Sequence, residues 1–162
     1  MTSQVSKKKI LCVCLGNICR SPAAQGVMQQ MVDEAGLTEC FEIDSAGTAG
    51  YHVGELPDRR MRIAARRRGI ELDHHCRRVT TDDFSRFDII VAMDESNYRN
   101  LRELSPSDEG DRKIVRMADF FNPDTRLRHS HVPDPYYEGA EGFELVLDLL
   151  NEGCANLLNA NS

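Results

Sequence analysis

The chain has no tryptophan, few aromatic residues and no long apolar run. Of its 162 residues, 6% are aromatic and 41% are hydrophobic, which is ordinary for a globular protein. A membrane-spanning helix needs about 20 apolar residues, and no run approaches that length. Internal repeats and low-complexity stretches are also lacking. The sequence therefore predicts one globular domain with its own core and no membrane association.

An excess of basic residues is lacking too. The net charge is −6 and the sequence pI is about 5.4, which argues against general nucleic-acid binding. Locally, however, basic residues cluster at Arg59, Arg60, Arg62, Arg66, Arg67, Arg68, Arg77 and Arg78. This cluster is either the solvated face of a helix or a positive rim that attracts anionic phosphoproteins.

Signals for secretion and for metal binding are also missing. We predict a flexible polar tail over residues 1–8 and a single domain over residues 9–160. The apolar run after the tail is too short for a signal-peptide core and has no cleavage site after it. Six cysteines without such a signal suggest reduced thiols and a cytoplasmic location. The spacing of Cys12, Cys14 and Cys19 does not fit a structural zinc site, so no metal is predicted.

The hydrophobic pattern alternates between short strands and helices. Strands are predicted near residues 10–13, 41–44, 87–92 and 113–117. Helices are predicted near 21–35, 58–68 and 94–104, the last two with caps at Asp58 and near Asp94. The last helix carries one apolar face, formed by Phe143, Val146, Leu147, Leu150, Cys154 and Leu157. This alternation predicts an α/β three-layer sandwich with a central four-stranded parallel sheet, flavodoxin-like. Residues 118–139 have little regular pattern and are expected to form a functional loop.

Residues 13–22, Val-Cys-Leu-Gly-Asn-Ile-Cys-Arg-Ser-Pro, are the most informative segment. Gly16 lets backbone amides approach an anion closely. Ser21, followed by proline, is predicted to cap a helix whose N-terminus faces the loop. Arg20 adds a planar fork suited to two phosphate oxygens. Cys14, at the end of the first strand, would lie beneath the anion as a nucleophile.

The loop amides, the helix N-terminus and Arg20 all favour the thiolate form of Cys14. This arrangement points to phosphate-ester chemistry through a covalent thiophosphate. The alternative reading of the same spacing is a buried cysteine at a strand end near an unrelated surface arginine. The ten-residue string in its strand–loop–helix setting favours the catalytic reading.

The same string resembles the signature loop of the low-molecular-weight protein tyrosine phosphatases. The resemblance continues in residues 44–48, 87–88, 93–97 and 134–137, in the family's order, and covers the chain from about Lys9 to the last helix. It implies the phosphotyrosine phosphatase I-like fold and hydrolysis of phosphotyrosine and small aryl phosphates through a phosphocysteine. No metal or organic cofactor is implied.

The resemblance also assigns roles to residues. Asp134 becomes the general acid and then the general base. The phosphate-binding loop comprises Cys14, Leu15, Gly16, Asn17, Ile18, Cys19, Arg20 and Ser21. Supporting hydrogen bonds would come from Asn17, Ser21, Ser45 and His74. Because His75 is adjacent, the resemblance leaves open which of the two histidines makes the last of these bonds.

Further expectations concern the rim, a second thiol and the partners. The walls of the substrate pocket match Leu15, Tyr51, Tyr136 and Tyr137, whose rings would stack on phosphotyrosine. Cys19 would protect an oxidised Cys14 as a reversible disulfide, or is simply a small buried apolar residue. The expected partners are tyrosine-phosphorylated proteins, with inorganic phosphate or oxyanion inhibitors in the loop. We expect a monomer or a weak homodimer.

Three alternatives share this scaffold or its binding chemistry. An arsenate reductase that relays a disulfide needs further cysteines on a mobile segment, and only Cys76 lies between His74 and Cys154, so that relay is not expected. A glutaredoxin-dependent arsenate reductase stays open as an alternative. A protein-arginine phosphatase usually has threonine at the place of Ile18 and tends to lack the double tyrosine. A non-catalytic phosphotyrosine-binding module would be expected to lose Cys14, Arg20 or Asp134, and all three are present.

Overall fold

Four parallel strands form the centre of the structure, a computed structural model that describes residues 6–162. The strands are β1 (Lys8–Cys14), β2 (Phe41–Gly47), β3 (Ile89–Ala92) and β4 (Ile114–Arg116), in the order β2-β1-β3-β4. The predicted four-stranded parallel sheet is thus confirmed. Because β1 already begins at Lys8, the predicted tail is too long at its inner end, and its residues 1–5 lie outside the described part.

Seven α-helices connect and cover the strands in the described part of the chain. They are α1 (Arg20–Glu34), α2 (Arg59–Arg66), α3 (Asp83–Arg86), α4 (Glu95–Leu104), α5 (Asp108–Arg112), α6 (Pro123–Arg128) and α7 (Ala140–Ala160). Short 3-10 turns occur at Thr38–Cys40 and Met117–Phe120. None of the helices described is both long and apolar enough to cross a membrane.

Both faces of the sheet are buried, as the predicted three-layer arrangement requires. On β1, Ile10 and Cys12 point to one apolar cluster, whereas Leu11 and Val13 point to another. The first cluster includes side chains of α1, α2 and α7, and the second includes side chains of α3 and α4. Alternate residues of a strand face opposite sides, so a strand that is apolar throughout belongs in the middle of three layers.

The caps of two helices confirm the sequence prediction. The Asp58 carboxylate accepts the backbone N–H of Arg60 at 2.8 Å, and the Asp94 carboxylate accepts that of Asn97 at 2.8 Å. These bonds satisfy N–H groups that lack a partner in the first turn of a helix. The predicted apolar face of the last helix is also confirmed, because all six of its residues are buried in α7.

Three sequence predictions differ from the structure. α1 begins at Arg20, after an N-cap at Cys19 that makes no side-chain capping bond, so the predicted Ser21 cap is wrong. The stretch 118–139 is not wholly irregular, because it contains most of a 3-10 turn and all of α6. The short helices α3 and α5 were not predicted. Elements of four to six residues carry too few apolar positions to show a helical period.

Candidate active site

The site lies where the central strand β1 ends at Cys14 and the chain turns into α1. The Cys14 carbonyl accepts the N–H of Thr48 at 3.0 Å, and the Leu15 carbonyl accepts that of Ala49 at 2.9 Å. The backbone N–H groups of residues 16–19 donate to no other residue of the described chain. We call residues 14–21 the phosphate loop. Its first two carbonyls accept hydrogen bonds from the residues that follow β2, and its amides at residues 16–19 are free. A loop of this kind at a helix N-terminus is suited to bind an anion.

Gly47 allows the loop to approach the end of β2. A Cβ atom at this position would lie 2.6 Å from the Leu15 carbonyl oxygen, 3.0 Å from the Ala49 carbonyl oxygen and 3.1 Å from the Asn17 nitrogen. All three are backbone atoms, which cannot move aside as a side chain can. The glycine is therefore required by close packing between the two loops.

Asn17 holds the phosphate loop in shape. It is fully buried and has φ of 59°, the left-handed conformation that asparagine adopts more readily than most residues. Its side-chain amide donates to Ser21 Oγ at 2.8 Å and to Ser45 Oγ at 3.0 Å. Its Oδ1 accepts the backbone N–H of Arg77 at 3.0 Å. A backbone N–H can only donate, so the orientation of the amide is fixed by this bond.

The fourth partner of the Asn17 side chain is a histidine. His74 Nε2 lies 3.1 Å from Asn17 Oδ1, and its Nδ1 lies 3.5 Å from the Asp44 carboxylate. His75 instead contacts the Gly54 carbonyl in an exposed position. The structure thus brings His74, rather than His75, to the loop. Burial lowers the pKa of His74, and the charge of Arg77 lowers it further, against the opposing effect of Asp44.

Ser21 contacts the candidate nucleophile directly. Its Oγ is 3.0 Å from Cys14 Sγ and 3.4 Å from the Ala46 carbonyl. Ser21 Oγ accepts a bond from Asn17, so its single hydrogen is available either for the Ala46 carbonyl or for the closer sulfur. Ser21 is therefore placed to donate a hydrogen bond to a Cys14 thiolate.

Arg20 is buried beside the loop, with 4% of its surface exposed. Its Nη1 donates to Asp94 at 2.6 Å and to the Val132 carbonyl at 3.0 Å. Burial alone would lower the pKa of Arg20, but the charges of Cys14 and Asp94 and the hydrogen bond to Asp94 raise it above its usual value. Its Nε and Nη2 donate to no other described residue. These two atoms form the edge of a guanidinium that binds two oxygens at once.

Val132 ties the Asp134 loop to the same guanidinium. It lies two residues before Asp134, and its own N–H donates to the Met93 carbonyl at 2.9 Å. The Asp134 carboxylate accepts the N–H of Tyr136 at 3.1 Å and lines the same pocket as Cys14. The candidate acid is thus positioned by Arg20. Sequence analysis identified Asp94 only as a helix cap, because its contact with Arg20 spans 74 positions.

The pocket above the loop has a volume of about 310 Å³. Its lining includes the four predicted wall residues Leu15, Tyr51, Tyr136 and Tyr137. The two neighbouring tyrosines meet edge to face, with ring centroids 5.0 Å apart. The structure therefore brings the predicted nucleophile, arginine, acid and walls to one cavity.

His52 lines the pocket as well and was missed by sequence analysis. It packs against Gly16, and its Nδ1 lies 2.7 Å from the Glu55 carboxylate. A lone histidine in a glycine-containing loop has no sequence pattern that distinguishes it from a surface residue.

Two buried thiols flank the nucleophile. Cys19 lines the pocket and is 4% exposed, and burial raises its pKa, as do the nearby Asp58 and Cys14. Cys76 Sγ donates to the Asn17 carbonyl at 2.7 Å, and burial raises its pKa to about 11. Cys76 therefore stays a thiol and a donor at neutral pH. On sequence grounds Cys76 was not expected to act as a relay thiol and was interpreted as structural or incidental, and its bond to Asn17 could not be predicted because the contact spans 59 positions.

The described residues hold no cluster of three or more histidine, cysteine, aspartate or glutamate side chains that could bind a metal ion. The chemistry that the site offers comes from its own groups. A sulfur nucleophile lies under free amides, an arginine fork faces the same space, and a carboxylate lies across the pocket. This arrangement suits transfer of a phosphoryl group to sulfur.

Comparisons with known proteins point to one family. Residues 9–161 match the family described as low molecular weight phosphotyrosine protein phosphatase. A putative low molecular weight protein-tyrosine-phosphatase of Synechocystis is 45% identical over 152 residues, covering 94% of this chain and 95% of the relative. The crystal structure of a protein tyrosine phosphatase from Entamoeba histolytica, with Hepes in its active site, is 44% identical. It superposes with a TM-score of 0.90 over 96% of this chain and 97% of that one.

A third comparison bears on the substrate. The Drosophila arginine phosphatase is 28% identical and superposes with a TM-score of 0.85, covering 96% of this chain and 98% of that one. Phosphatases named for different phosphorylated residues therefore share this fold. The fold alone does not determine which phosphorylated residue such a site accepts, so the residues that line the pocket must determine it.

Proposed function

The chain belongs to the low molecular weight phosphotyrosine protein phosphatases, and from this we propose that it hydrolyses phosphotyrosine in proteins through a phosphocysteine on Cys14. Small aryl phosphates would be hydrolysed in the same way. Family membership makes it a phosphoric monoester hydrolase whose substrates are phosphoproteins. The residue roles and the intermediate below are our proposal.

In the first step the Cys14 thiolate attacks phosphorus. A sulfur–phosphorus bond forms while the bond from phosphorus to the tyrosine oxygen breaks. The free amides of residues 16–19 and the Nε and Nη2 of Arg20 stabilise the charge that spreads over the three equatorial oxygens. The bond from Ser21 stabilises the thiolate before attack, and it assists departure of the sulfur in the second step.

Asp134 supplies the proton that the leaving phenolate needs. In the second step its carboxylate takes a proton from water, whose oxygen attacks phosphorus and releases inorganic phosphate and the Cys14 thiolate. The hydrogen bond from Arg20 to the Val132 carbonyl supports this role, because it fixes the Asp134 loop relative to the phosphate.

The observation that carries the proposal is the contact between Ser21 Oγ and Cys14 Sγ at 3.0 Å, beneath four amides that have no other partner in the described chain. A merely structural cysteine would not need a cradle of free donors above it. Of the four residues, Asn17 and Cys19 are buried, and N–H groups without a partner at such a loop are satisfied when an anion binds to them.

The pocket walls favour phosphotyrosine over phosphoarginine. Ile18 lines the pocket where an arginine phosphatase would usually carry threonine, so it offers no hydroxyl to a guanidinium. Tyr136 and Tyr137 provide aromatic faces for the substrate ring. Disulfide-relay arsenate reduction is disfavoured, because Cys76 is 3% exposed and its thiol is held by Asn17.

Two further parts of the proposal concern the protein in the cell. We propose a cytoplasmic location, since all six cysteines are free thiols and a reducing compartment keeps the Cys14 nucleophile active. Cys19 would form the reversible protective disulfide with an oxidised Cys14. We also propose that the protein acts as a monomer or a weak homodimer.

The first experiment compares phosphate release from phosphotyrosine, phosphoserine and phosphoarginine peptides in the presence of EDTA. Selective release from phosphotyrosine is expected, because only its ring reaches a deep phosphate loop through aromatic walls. Preference for phosphoarginine would keep the Cys14 chemistry and overturn the assignment of the walls. Release from none would overturn the proposed function.

Variants test the residue roles. Cys14→Ser is expected to abolish turnover of an aryl phosphate, and retained turnover would refute the phosphocysteine. Asp134→Ala is expected to slow release of poor leaving groups by about 10²–10³-fold and of good leaving groups far less. Equal slowing of both would exclude the acid role.

A further inference from the structure

A second cavity, of about 260 Å³, lies between α2 and the start of α7. Its apolar lining comes from the exposed Ile63 and Ala140 and from the buried Ala64 and Phe143. Ile63 is 37% exposed, although it belongs to a helix whose other apolar residues are buried. Arg60 and Arg67 lie along one side. We call this cavity the α2–α7 groove.

The groove adjoins the active-site pocket through Arg60. The guanidinium of Arg60 lies 5.3 Å from the ring centre of Tyr136, which lines the pocket, and 4.8 Å from that of Phe143, which lines the groove. Bonds of 2.9 and 3.1 Å to the Asp58 carboxylate hold it there. A chain that leaves the pocket past Tyr136 therefore crosses Arg60 and enters the groove.

The charges along the groove are unequal. The charge of Arg60 is offset by Asp58, and Glu144 on the opposite side is paired with Arg68 at 2.6 Å. Arg67 lies within ion-pair distance of no carboxylate among residues 6–162 and is exposed. Glu138 is likewise exposed, at the start of α7. The groove thus offers an apolar surface with an available cation, Arg67, on its α2 side and an available carboxylate, Glu138, on its α7 side.

We propose that the α2–α7 groove binds the polypeptide beside the phosphotyrosine of a protein substrate. The groove selects a peptide that carries an apolar residue and, two positions farther from the phosphotyrosine, an acidic residue. This proposal rests on the proposed function. The apolar side chain packs on Ile63 and Ala140, and the acidic one pairs with Arg67.

The spacing follows from the two backbones. Ile63 and Arg67 are four helical residues apart, which is about 6 Å along α2. Two residues of an extended peptide span about 6.6 Å, and alternate side chains point to the same side. An apolar residue and an acidic residue in adjacent positions would point to opposite sides, so only one of them could enter the groove.

The test uses phosphotyrosine peptides in an alanine-based host. A leucine and a glutamate, two positions apart, are placed two to five residues before or after the phosphotyrosine, with the glutamate always the farther one. At least one placement is expected to raise kcat/KM about tenfold over the host, as one half-buried leucine and one exposed ion pair would. The matched control peptide carries the same two residues in adjacent positions and is expected to gain threefold or less.

Variants locate the effect. Arg67→Gln and Ile63→Ser are each expected to reduce the gain in kcat/KM by a factor of about three to five, because the first removes the ion pair and the second removes the apolar contact. Arg66→Gln is the matched control, because Arg66 lies on the same helix, pairs with Glu71 and does not line the groove. It is expected to keep the full gain, and all three variants should hydrolyse p-nitrophenyl phosphate at the wild-type rate.

The outcomes separate this inference from the proposed function. If no phosphotyrosine peptide is hydrolysed, the proposed function fails. If the host peptide is hydrolysed but no placement of the pair raises kcat/KM, or if Arg66→Gln removes as much of the gain as Arg67→Gln, the groove does not read the substrate. If Ile63→Ser changes only the size-exclusion profile, the groove binds a second copy of the chain, and the proposal is likewise overturned.

Discussion

The phosphate loop and the aromatic rim of the same pocket are built in opposite ways. In the loop, Asn17 and Ser21 are fully buried and hydrogen-bonded to each other and to neighbouring elements. At the rim, Tyr51 is 75% and Tyr137 is 93% exposed. Order is thus concentrated where we propose that the phosphoryl group is transferred, because a small misplacement of reacting groups there is costly. The rim needs only apolar surface, which tolerates movement and exchange of residues.

The largest expected effect comes from breaking the loop network at its centre. Asn17→Ala removes the side-chain bonds to Ser21, Ser45, His74 and Arg77 and places a residue less suited to φ of 59° at that position. We expect a loss of about 3 kcal/mol in unfolding free energy and a fall of about a hundredfold in kcat/KM. Urea unfolding and aryl phosphate kinetics measure both. A variant with near-wild-type kinetics would show that the network is not needed.

A second change compresses the loop instead of removing bonds. Gly47→Ala places a Cβ atom 2.6 Å from the Leu15 carbonyl oxygen, which should cost about 1–3 kcal/mol and distort the amide cradle. Gly139→Ala is the control, because a Cβ atom there meets nothing within 4 Å. Thermal unfolding of both variants, with phosphate binding as a second readout, checks the expectation. Equal stability of the two variants would contradict it.

At the rim, the expected effects are smaller and concern binding. Tyr137→Ala is expected to raise KM for phosphotyrosine peptides about threefold to tenfold, through loss of one aromatic contact. Its unfolding free energy should stay within about 0.5 kcal/mol of wild type, since the residue is exposed. Turnover of a small aryl phosphate at saturation is the control. A large loss of stability would remove the contrast between rim and loop.

The smallest effect expected is on the pH dependence of stability. Because the pKa of His74 is lower in the folded protein, the unfolded chain binds its proton first as the pH falls below about 6.5. Protonation of His74 in the unfolded chain therefore lowers the unfolding free energy as the pH falls from about 6.5 to the pKa of His74 in the folded protein. His74→Gln, which can still donate to Asn17, should lose less stability between pH 7.5 and pH 5.5 in urea unfolding. An unchanged slope would show that His74 does not titrate in this way.

Local patterns predicted the sheet and several helix ends from the sequence. Asp58 and Asp94 act within three residues of their own position, so their capping could be inferred from sequence. Ser21 was wrongly predicted as a cap, because the structure uses its hydroxyl for the Cys14 sulfur. The short helix α6 has no buried residue, so the sequence shows no apolar period there, although Asn122, Pro123 and Asp124 form a helix-start pattern that was not recognised.

The candidate site likewise contains residues that a local sequence pattern predicts and contacts that it does not. Cys14, Gly16, Arg20 and Ser21 lie within eight positions, and their spacing alone indicates an anion site. The contacts of Asp94 with Arg20 and of Cys76 with Asn17 depend on how distant segments meet. Only the fold brings those pairs together, and neither residue belongs to a pattern whose chemistry can be derived locally.

The central position of β1 has a consequence for partly unfolded molecules. β1 is paired along its whole length with β2 and along Ile10–Val13 with β3, and those four residues have no exposed surface. Amide protons in such a strand exchange with deuterated solvent only when the whole domain opens, whereas exposed loops open at little cost. The sulfur of Cys14, the proposed nucleophile, is thus attached to the last part of the protein to come apart. A label that reacts with Cys14 through the proposed mechanism would therefore count every molecule whose central strand is still in place, whatever the state of the rim.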